Sequence, residues 1–204
     1  MKKVVMAVVV LMAAACVASA NLLVNGDFSL PGSGSYGAIN TVSIPNWTSY
    51  GTEGWYAGDI GSQPSVKFWD SGTGIYQDWS ATAGQAYNLA VQTYSASGEP
   101  ITGTGSADLR VEWFNAGYTA LGTTTLGSMH AGDPQNAWFN LSGTATAVVG
   151  AVYGRITLDM ENAGGAAYFD NASVTVAAVP EPAAISMVGL GLVGLLHLRR
   201  RARA

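Results

Sequence analysis

The sequence of 204 residues predicts an antiparallel all-β sandwich or barrel, with a targeting segment at each end. Between residues 21 and 178, apolar and polar residues alternate in short runs, which is the side-chain period of a strand. Glycine-containing turns separate these runs. Helical periodicity is not sustained in this span, so no stretch is left for the crossover helices that parallel strands need.

Residues 1–20 have the pattern of a secretory signal peptide. Two lysines precede an apolar stretch, and Ala18-Ser19-Ala20 supplies a small-residue cleavage site. We therefore expect the mature chain to begin at Asn21. Cys16, the single cysteine, leaves lipid attachment open as an alternative. Without it the chain has no disulfide, and the core alone must stabilise the fold.

Eight strands are predicted across the central region. The clearest is Asp108–Phe114, where Leu109, Val111 and Trp113 share the face that we expect to be buried. The segment Trp47–Gln63 is predicted to be a long ordered loop. The other predicted strands are Leu22–Phe28, Ser65–Trp69, Ile75–Trp79, Tyr87–Thr93, Trp138–Ala145, Val152–Met160 and Ala167–Val176.

The central region is acidic. Residues 21–178 hold twelve Asp and Glu against three basic residues, Lys67, Arg110 and Arg155, so the net charge of this region is −9. A region with this charge balance has no basic patch that would bind nucleic acid or an anionic membrane surface. A ligand would therefore be neutral and polar, aromatic or cationic.

Three segments carry a resemblance to a known fold family. Asn21–Phe28 resembles the opening strand of galactose-binding-like jelly rolls, which include many carbohydrate-binding modules. Tyr168–Val174 resembles their closing strand, and Tyr76–Leu89 resembles an internal strand, turn and strand. The resemblance implies one jelly-roll β-sandwich domain over residues 21–178.

The same resemblance implies a possible structural calcium between the first and last strands. Asn25, Asp27 and Asp170 are the candidate ligands, and calcium requires six to eight such oxygens. Ser29 stands where the family has a glutamate. In the alternative interpretation, Asp170 accepts hydrogen bonds from backbone amides where the terminal strands meet.

Aromatic and acidic residues cluster in the predicted loop. Trp47, Trp55 and Tyr56 lie there beside Glu53 and Asp59. Flat aromatic faces stack on sugar rings while polar side chains bind the hydroxyl groups. These five residues are therefore the candidate carbohydrate-binding site. The alternative is that the aromatic rings fold back and close one end of the sandwich.

Catalysis finds little support in the sequence. His130 is the single histidine before the C-terminal segment, and no serine or cysteine stands in a nucleophile motif. We therefore expect a non-catalytic protein that binds carbohydrate. Two alternatives stay open: a structural or adhesive matrix protein without a defined ligand, and an enzyme that acts on glycosides through two carboxylates.

Residues 179–204 form a three-part ending. Pro180, Glu181 and Pro182 precede the 16-residue apolar stretch Ala183–Leu198, which predicts one C-terminal transmembrane helix, and four arginines follow it. This order resembles the PEP-CTERM sorting signal of exported bacterial proteins. The resemblance implies processing by an exosortase and transient anchoring in the inner membrane. Delivery to the cell surface or extracellular matrix would follow, with the host's exopolysaccharide as a possible ligand.

Overall fold

The computed structural model describes residues 20–30, 37–38, 44–51, 55–60, 63–69, 71–161 and 164–178. At residues 37–38, 55–59 and 63 the description covers the backbone. The predicted signal peptide, the Pro180–Pro182 motif and the predicted C-terminal helix lie outside these residues. Within the described ranges, no helix has the length and apolar character needed to cross a membrane.

Two antiparallel sheets form a sandwich, as the sequence predicts. The strands are β1 (Gly37–Ala38), β2 (Thr48–Tyr50), β3 (Trp55–Ile60), β4 (Gln63–Trp69), β5 (Thr73–Ser80), β6 (Ala86–Tyr94), β7 (Ser106–Phe114), β8 (Ala120–His130), β9 (Trp138–Thr146), β10 (Tyr153–Glu161) and β11 (Ala166–Val176). The six-stranded sheet has the order β1-β3-β4-β11-β6-β9, and the five-stranded sheet has the order β2-β5-β10-β7-β8.

The core lies between the two sheets and follows the alternation of side chains. Ile156, Leu158 and Met160 of β10 are fully buried. The predicted inward face of β7 is confirmed, because Leu109, Val111 and Trp113 all belong to the core. All the core residues among those described lie between positions 23 and 174, so the sheets bury their apolar surface against each other.

Three aromatic rings pack closely at one end of the core. The rings of Trp79 and Trp113 lie 5.8 Å apart in an edge-to-face arrangement, and Tyr87 contacts both. Gly154 of β10 makes room for them, since a Cβ at this position would lie 2.3 Å from the Trp79 ring and 2.8 Å from the Trp113 ring. The glycine is therefore required by packing.

The segment Leu22–Phe28 is not the regular strand that was predicted. Asn25 and Phe28 have positive φ angles of 56° and 48°, which break the extended backbone. The segment still runs beside β11, because the Leu22 amide donates to the Val174 carbonyl at 2.8 Å. The two ends of the domain therefore meet.

Two further expectations are corrected. The predicted loop Trp47–Gln63 contains the strands β2 and β3. The edge strand β8 was not predicted at all. Its residues 120–125 are exposed on both faces, so the segment lacks the apolar alternation by which a half-buried strand is recognised.

Gly154→Ala should destabilise the protein by about 1–3 kcal/mol, the usual cost of overpacking a close-packed core. Gly122→Ala is the matched control, because this strand glycine of the same sheet has nothing within 4 Å of an added Cβ. Urea unfolding followed by tryptophan fluorescence measures both changes. Equal stability of the two variants would contradict the packing argument.

Candidate functional site

Trp47 does not offer a ring face to a ligand. Its side chain is 6% exposed, and its ring lies 5.3 Å from that of Phe28. Its indole N–H donates to the Asn25 carbonyl at 3.0 Å. The prediction that Trp47 binds carbohydrate is therefore wrong, because its ring is buried in the core.

The rest of the predicted aromatic site stays a prediction. Trp55, Tyr56 and Asp59 lie on β3, where Trp55 is in register with Lys67 of β4. Glu53 lies outside the described residues.

A different surface brings polar and aromatic side chains together. It is the outer face of the five-stranded sheet, opposite the core. Along β5, β7 and β10, residues that point into the core alternate with residues that point outward. The pattern that predicts the core therefore also predicts which side chains lie on this outer face. We call Tyr50, Tyr76, Asp78, Tyr118, Tyr153 and Arg155 the tyrosine–arginine face.

Arg155 lies at the centre of this face. Its Nε and Nη2 atoms donate to the two carboxylate oxygens of Asp78 at 2.6 and 3.1 Å. The guanidinium carbon lies 3.7 Å from the ring centroid of Tyr76 and 4.7 Å from that of Phe114. The hydrogen bonds to Asp78 raise the pKa of Arg155. This fork fixes the position of both charged groups.

Tyr50 begins a second polar group beside the first. Its hydroxyl donates to Oδ2 of Asp159 at 2.8 Å, and Arg110 forms an ion pair with the same oxygen. Burial raises the pKa of Tyr50 to about 12, so its hydroxyl keeps the proton. Oδ1 of Asp159 and Oδ1 of Asp108 are buried without a hydrogen-bond partner among the described residues.

Tyr118 gives the face an exposed aromatic ring. The ring stacks on that of Tyr153, with centroids 4.7 Å apart and an interplanar angle of 24°, and Tyr118 is 52% exposed. Its φ of 58° is uncommon for a bulky residue. Oδ1 of Asn115 holds the turn by accepting from the amides of Gly117 and Thr119 at 2.9 and 3.0 Å. Backbone strain that holds one side chain in place points to a functional position.

All three basic residues of the domain are paired with carboxylates. Arg155 pairs with Asp78, Arg110 pairs with Asp159 and Glu161, and Lys67 pairs with Glu99 at 2.5 Å. None of these cations is left to attract a free anion. The face is therefore suited to a neutral or cationic ligand.

Asp170 occupies the point where the terminal segments meet. It is 2% exposed, and its Oδ1 accepts from the backbone amide of Asn171 at 2.6 Å. Its Oδ2 accepts from the Asn171 side-chain amide at 2.9 Å, so Asn171 contacts both carboxylate oxygens. Burial, together with the charge of Asp27, raises the pKa of Asp170 to about 6. A buried carboxylate beside a second carboxylate is chemically suited to a hard cation.

The neighbourhood of Asp170 provides part of a calcium-ligand set. An open depression of about 400 Å³ is lined by Asp27 and by uncharged residues of the terminal segments, namely Asn21, Leu23, Asn25, Gly26, Asn171, Ala172 and Ser173. Asn25 is used elsewhere, because its side chain bonds the Leu30 backbone and the Pro45 carbonyl. Within the described ranges, no three His, Cys, Asp or Glu side chains gather as a metal site. Asp27 lines this depression, and Asp170 directly precedes its lining residue Asn171.

The C-terminal residues match the family model of a known sorting motif. The family model of the PEP-CTERM protein-sorting motif matches residues 178–201. The chain carries a PEP-CTERM sorting motif. This motif implies that the protein is exported and sorted to the cell surface by an exosortase. No curated protein matches the chain at the level of sequence.

Solved structures with a similar fold include carbohydrate-binding modules. A family 22 carbohydrate binding module of Clostridium thermocellum Xyn10B has a TM-score of 0.50 and 16% identity, covering 72% of this chain and 96% of its own. A family 16 carbohydrate binding module has a TM-score of 0.50 and 17% identity, covering 76% and 99%. The tailspike protein 4 domain of bacteriophage CBA120 has a TM-score of 0.52 and 14% identity over 77% of this chain. The chain spans about a fifth of that tailspike domain. These likenesses establish the jelly-roll fold.

The raised pKa of Asp170 predicts a pH dependence of stability in the absence of metal. Because the folded pKa of about 6 exceeds the usual pKa of 3.8 for an aspartate, the stability from this group is complete below pH 3.8 and is lost as pH rises through 6. The stability of wild type relative to Asp170→Asn should therefore fall between pH 4 and pH 7. Thermal unfolding in chelator measures it, and a constant difference across this range would contradict the prediction.

Proposed function

We propose that this protein is an exported, non-catalytic carbohydrate-binding module that acts at the cell surface or in the extracellular matrix, and that its tyrosine–arginine face binds a neutral polysaccharide. The observation that carries the proposal is the exposed ring of Tyr118, stacked on Tyr153 beside the Asp78–Arg155 pair. A flat ring next to fixed donors and acceptors is the combination that recognises a sugar.

The charges support a neutral ligand. Each cation of the domain is engaged by a carboxylate, so a uronic-acid polymer would meet no free positive group. The host's own exopolysaccharide is the proposed ligand, and xylan, which a similar solved module is named for binding, is a suitable first probe.

The same face gives little support to catalysis. Asp78 is held by Arg155, Asp159 by Tyr50 and Arg110, and Glu112 accepts from the Thr157 hydroxyl at 3.2 Å. A glycosidase needs one carboxyl group free to donate a proton and a second free to act as base or nucleophile. Binding without hydrolysis follows, and incubation with each polysaccharide should release no reducing ends.

The C-terminal segment would hold the protein at the inner membrane before processing. Ala183–Leu198 would cross the membrane with the arginines on the cytoplasmic side, which leaves the acidic domain outside. Exosortase cleavage near Pro180–Pro182 would then release the domain to the surface or matrix.

Tyr118→Ala should weaken binding to neutral polysaccharide by about fivefold, since the lost ring contact is worth roughly 1 kcal/mol. Affinity gel electrophoresis with a panel that includes xylan and a uronic-acid polymer measures the change. Phe139→Ala is the matched control, because Phe139 is an exposed aromatic residue of the other sheet.

Trp55→Ala distinguishes this face from the site on β3. If Trp55→Ala abolishes binding while Tyr118→Ala leaves it unchanged, the tyrosine–arginine face is not the site. If the uronic-acid polymer binds best, the argument from charge fails.

We also propose that Asp27 and Asp170 hold a structural calcium ion. Calcium should raise the thermal unfolding midpoint of the wild type at pH 7, because it neutralises two neighbouring carboxylates. Asp170→Asn should show no such rise. Magnesium is the control ion. A midpoint that calcium leaves unchanged in the wild type would overturn the proposal.

A further inference from the structure

The four sheet edges differ in how well they are protected against pairing. Natural proteins shorten, bend or charge their edge strands, because an open edge is a template for another strand. Among the described strands, β1 has two residues and β2 has three. The longer edge strand β8 carries two register shifts in its pairing with β7, and such irregularities bend a strand. Three of the four edges are therefore blunted.

Among the residues that the structure describes, none gives the fourth edge strand, β9, such protection. It pairs with β6 in unbroken register over all nine residues from Trp138 to Thr146. It contains no charged residue and no proline, and the neighbouring β6 has none either. An edge of this kind is regular enough to accept a further strand.

The hydrogen bonds at the end of β9 show which backbone groups are open. The amide of Ala147, one residue beyond the strand, donates to the Gln85 carbonyl at 2.9 Å. Bonded and non-bonded pairs alternate along an antiparallel ladder. The even-numbered residues of β9 therefore direct their N–H and C=O groups away from β6. Ser142, at the middle of the strand, is one of them and has an exposed side chain.

The distribution of charge indicates which partner strand can pair with the β9 edge. The domain has a net charge of −9, so two copies repel each other over most of their surface. β9 and β6 carry no charged residue, so they add nothing to this repulsion, and the strand is complementary to itself when two copies meet antiparallel about a two-fold axis. Full overlap of the nine residues places Ser142 of one copy opposite Ser142 of the other.

We propose that the β9 edge is a self-association surface, through which two copies of this chain pair antiparallel and join their six-stranded sheets into one. The assembly closes at two copies, because pairing uses the regular edge of each copy and the other edges are blunted. This inference is independent of the ligand bound by the tyrosine–arginine face.

Sedimentation velocity of the full-length protein in mild detergent tests the proposal. The wild type should sediment as a dimer. Ser142→Lys places two like charges directly opposite each other and should weaken dimerisation by about fivefold. Ser142→Pro removes an outward N–H without removing a bond to β6, and should have the same effect.

A control variant and a mixture of oppositely charged variants distinguish loss of dimerisation from misfolding. Ser80→Lys adds the same charge at an exposed position of β5, in the other sheet, and should leave the dimer intact. An equimolar mixture of Ser142→Lys and Ser142→Glu should form a heterodimer, which misfolded chains would not do. A monomeric wild type, a Ser142→Lys variant that dimerises like wild type, or a ladder of larger species would each overturn the proposal.

Discussion

The strict alternation of side chains along β10 is the constraint on which both the core and the candidate site depend. One side of this strand inserts Ile156, Leu158 and Met160 between the sheets. The other side presents Arg155 and Asp159, which the neighbouring strands pair with Asp78 and Arg110. Burial of the inward residues also fixes the positions of Arg155 and Asp159, because a register shift of one residue would exchange the two faces of the strand. The rigidity of the binding face is therefore supplied by the packing of the core.

The sequence predicts those parts of the fold where burial is one-sided. β6, β7 and β10 are recognisable because buried apolar residues alternate with polar ones. β8 is missed because water covers both of its sides, and Leu22–Phe28 is irregular because Asn25 and Phe28 adopt positive φ. The tyrosine–arginine face is missed for a different reason. Asp78 and Arg155 are 77 residues apart, and the register of β5 with β10 brings them together. Trp47 shows the converse error, since the composition of a loop does not say which way a ring turns.

Charge is divided unequally over the molecule, and this division separates two kinds of contact. The three basic residues are used internally to hold carboxylates, so the excess acidity keeps copies apart and disfavours anionic polymers. The five-stranded sheet carries the tyrosine–arginine face, whereas the open β9 edge belongs to the other sheet. Self-association through β9 would therefore leave both faces accessible. Two weak sites held in one particle bind a repetitive polymer more tightly than either does alone.

The meeting of the chain ends at β11 has a mechanical consequence. The Leu22 amide donates to the Val174 carbonyl, so the start of the domain lies beside its last strand, and a force applied to the C-terminal end of the domain would enter through β11. β11 is an interior strand, paired over seven residues with β6 and on its other side with β4. Hydrogen bonds of an antiparallel ladder lie perpendicular to the strands, so a force along β11 loads them together rather than one after another. If a surface protein of this fold binds a polymer under flow, the pulling force acts along β11 and shears it against its neighbouring strands. A sheet resists rupture best in this direction.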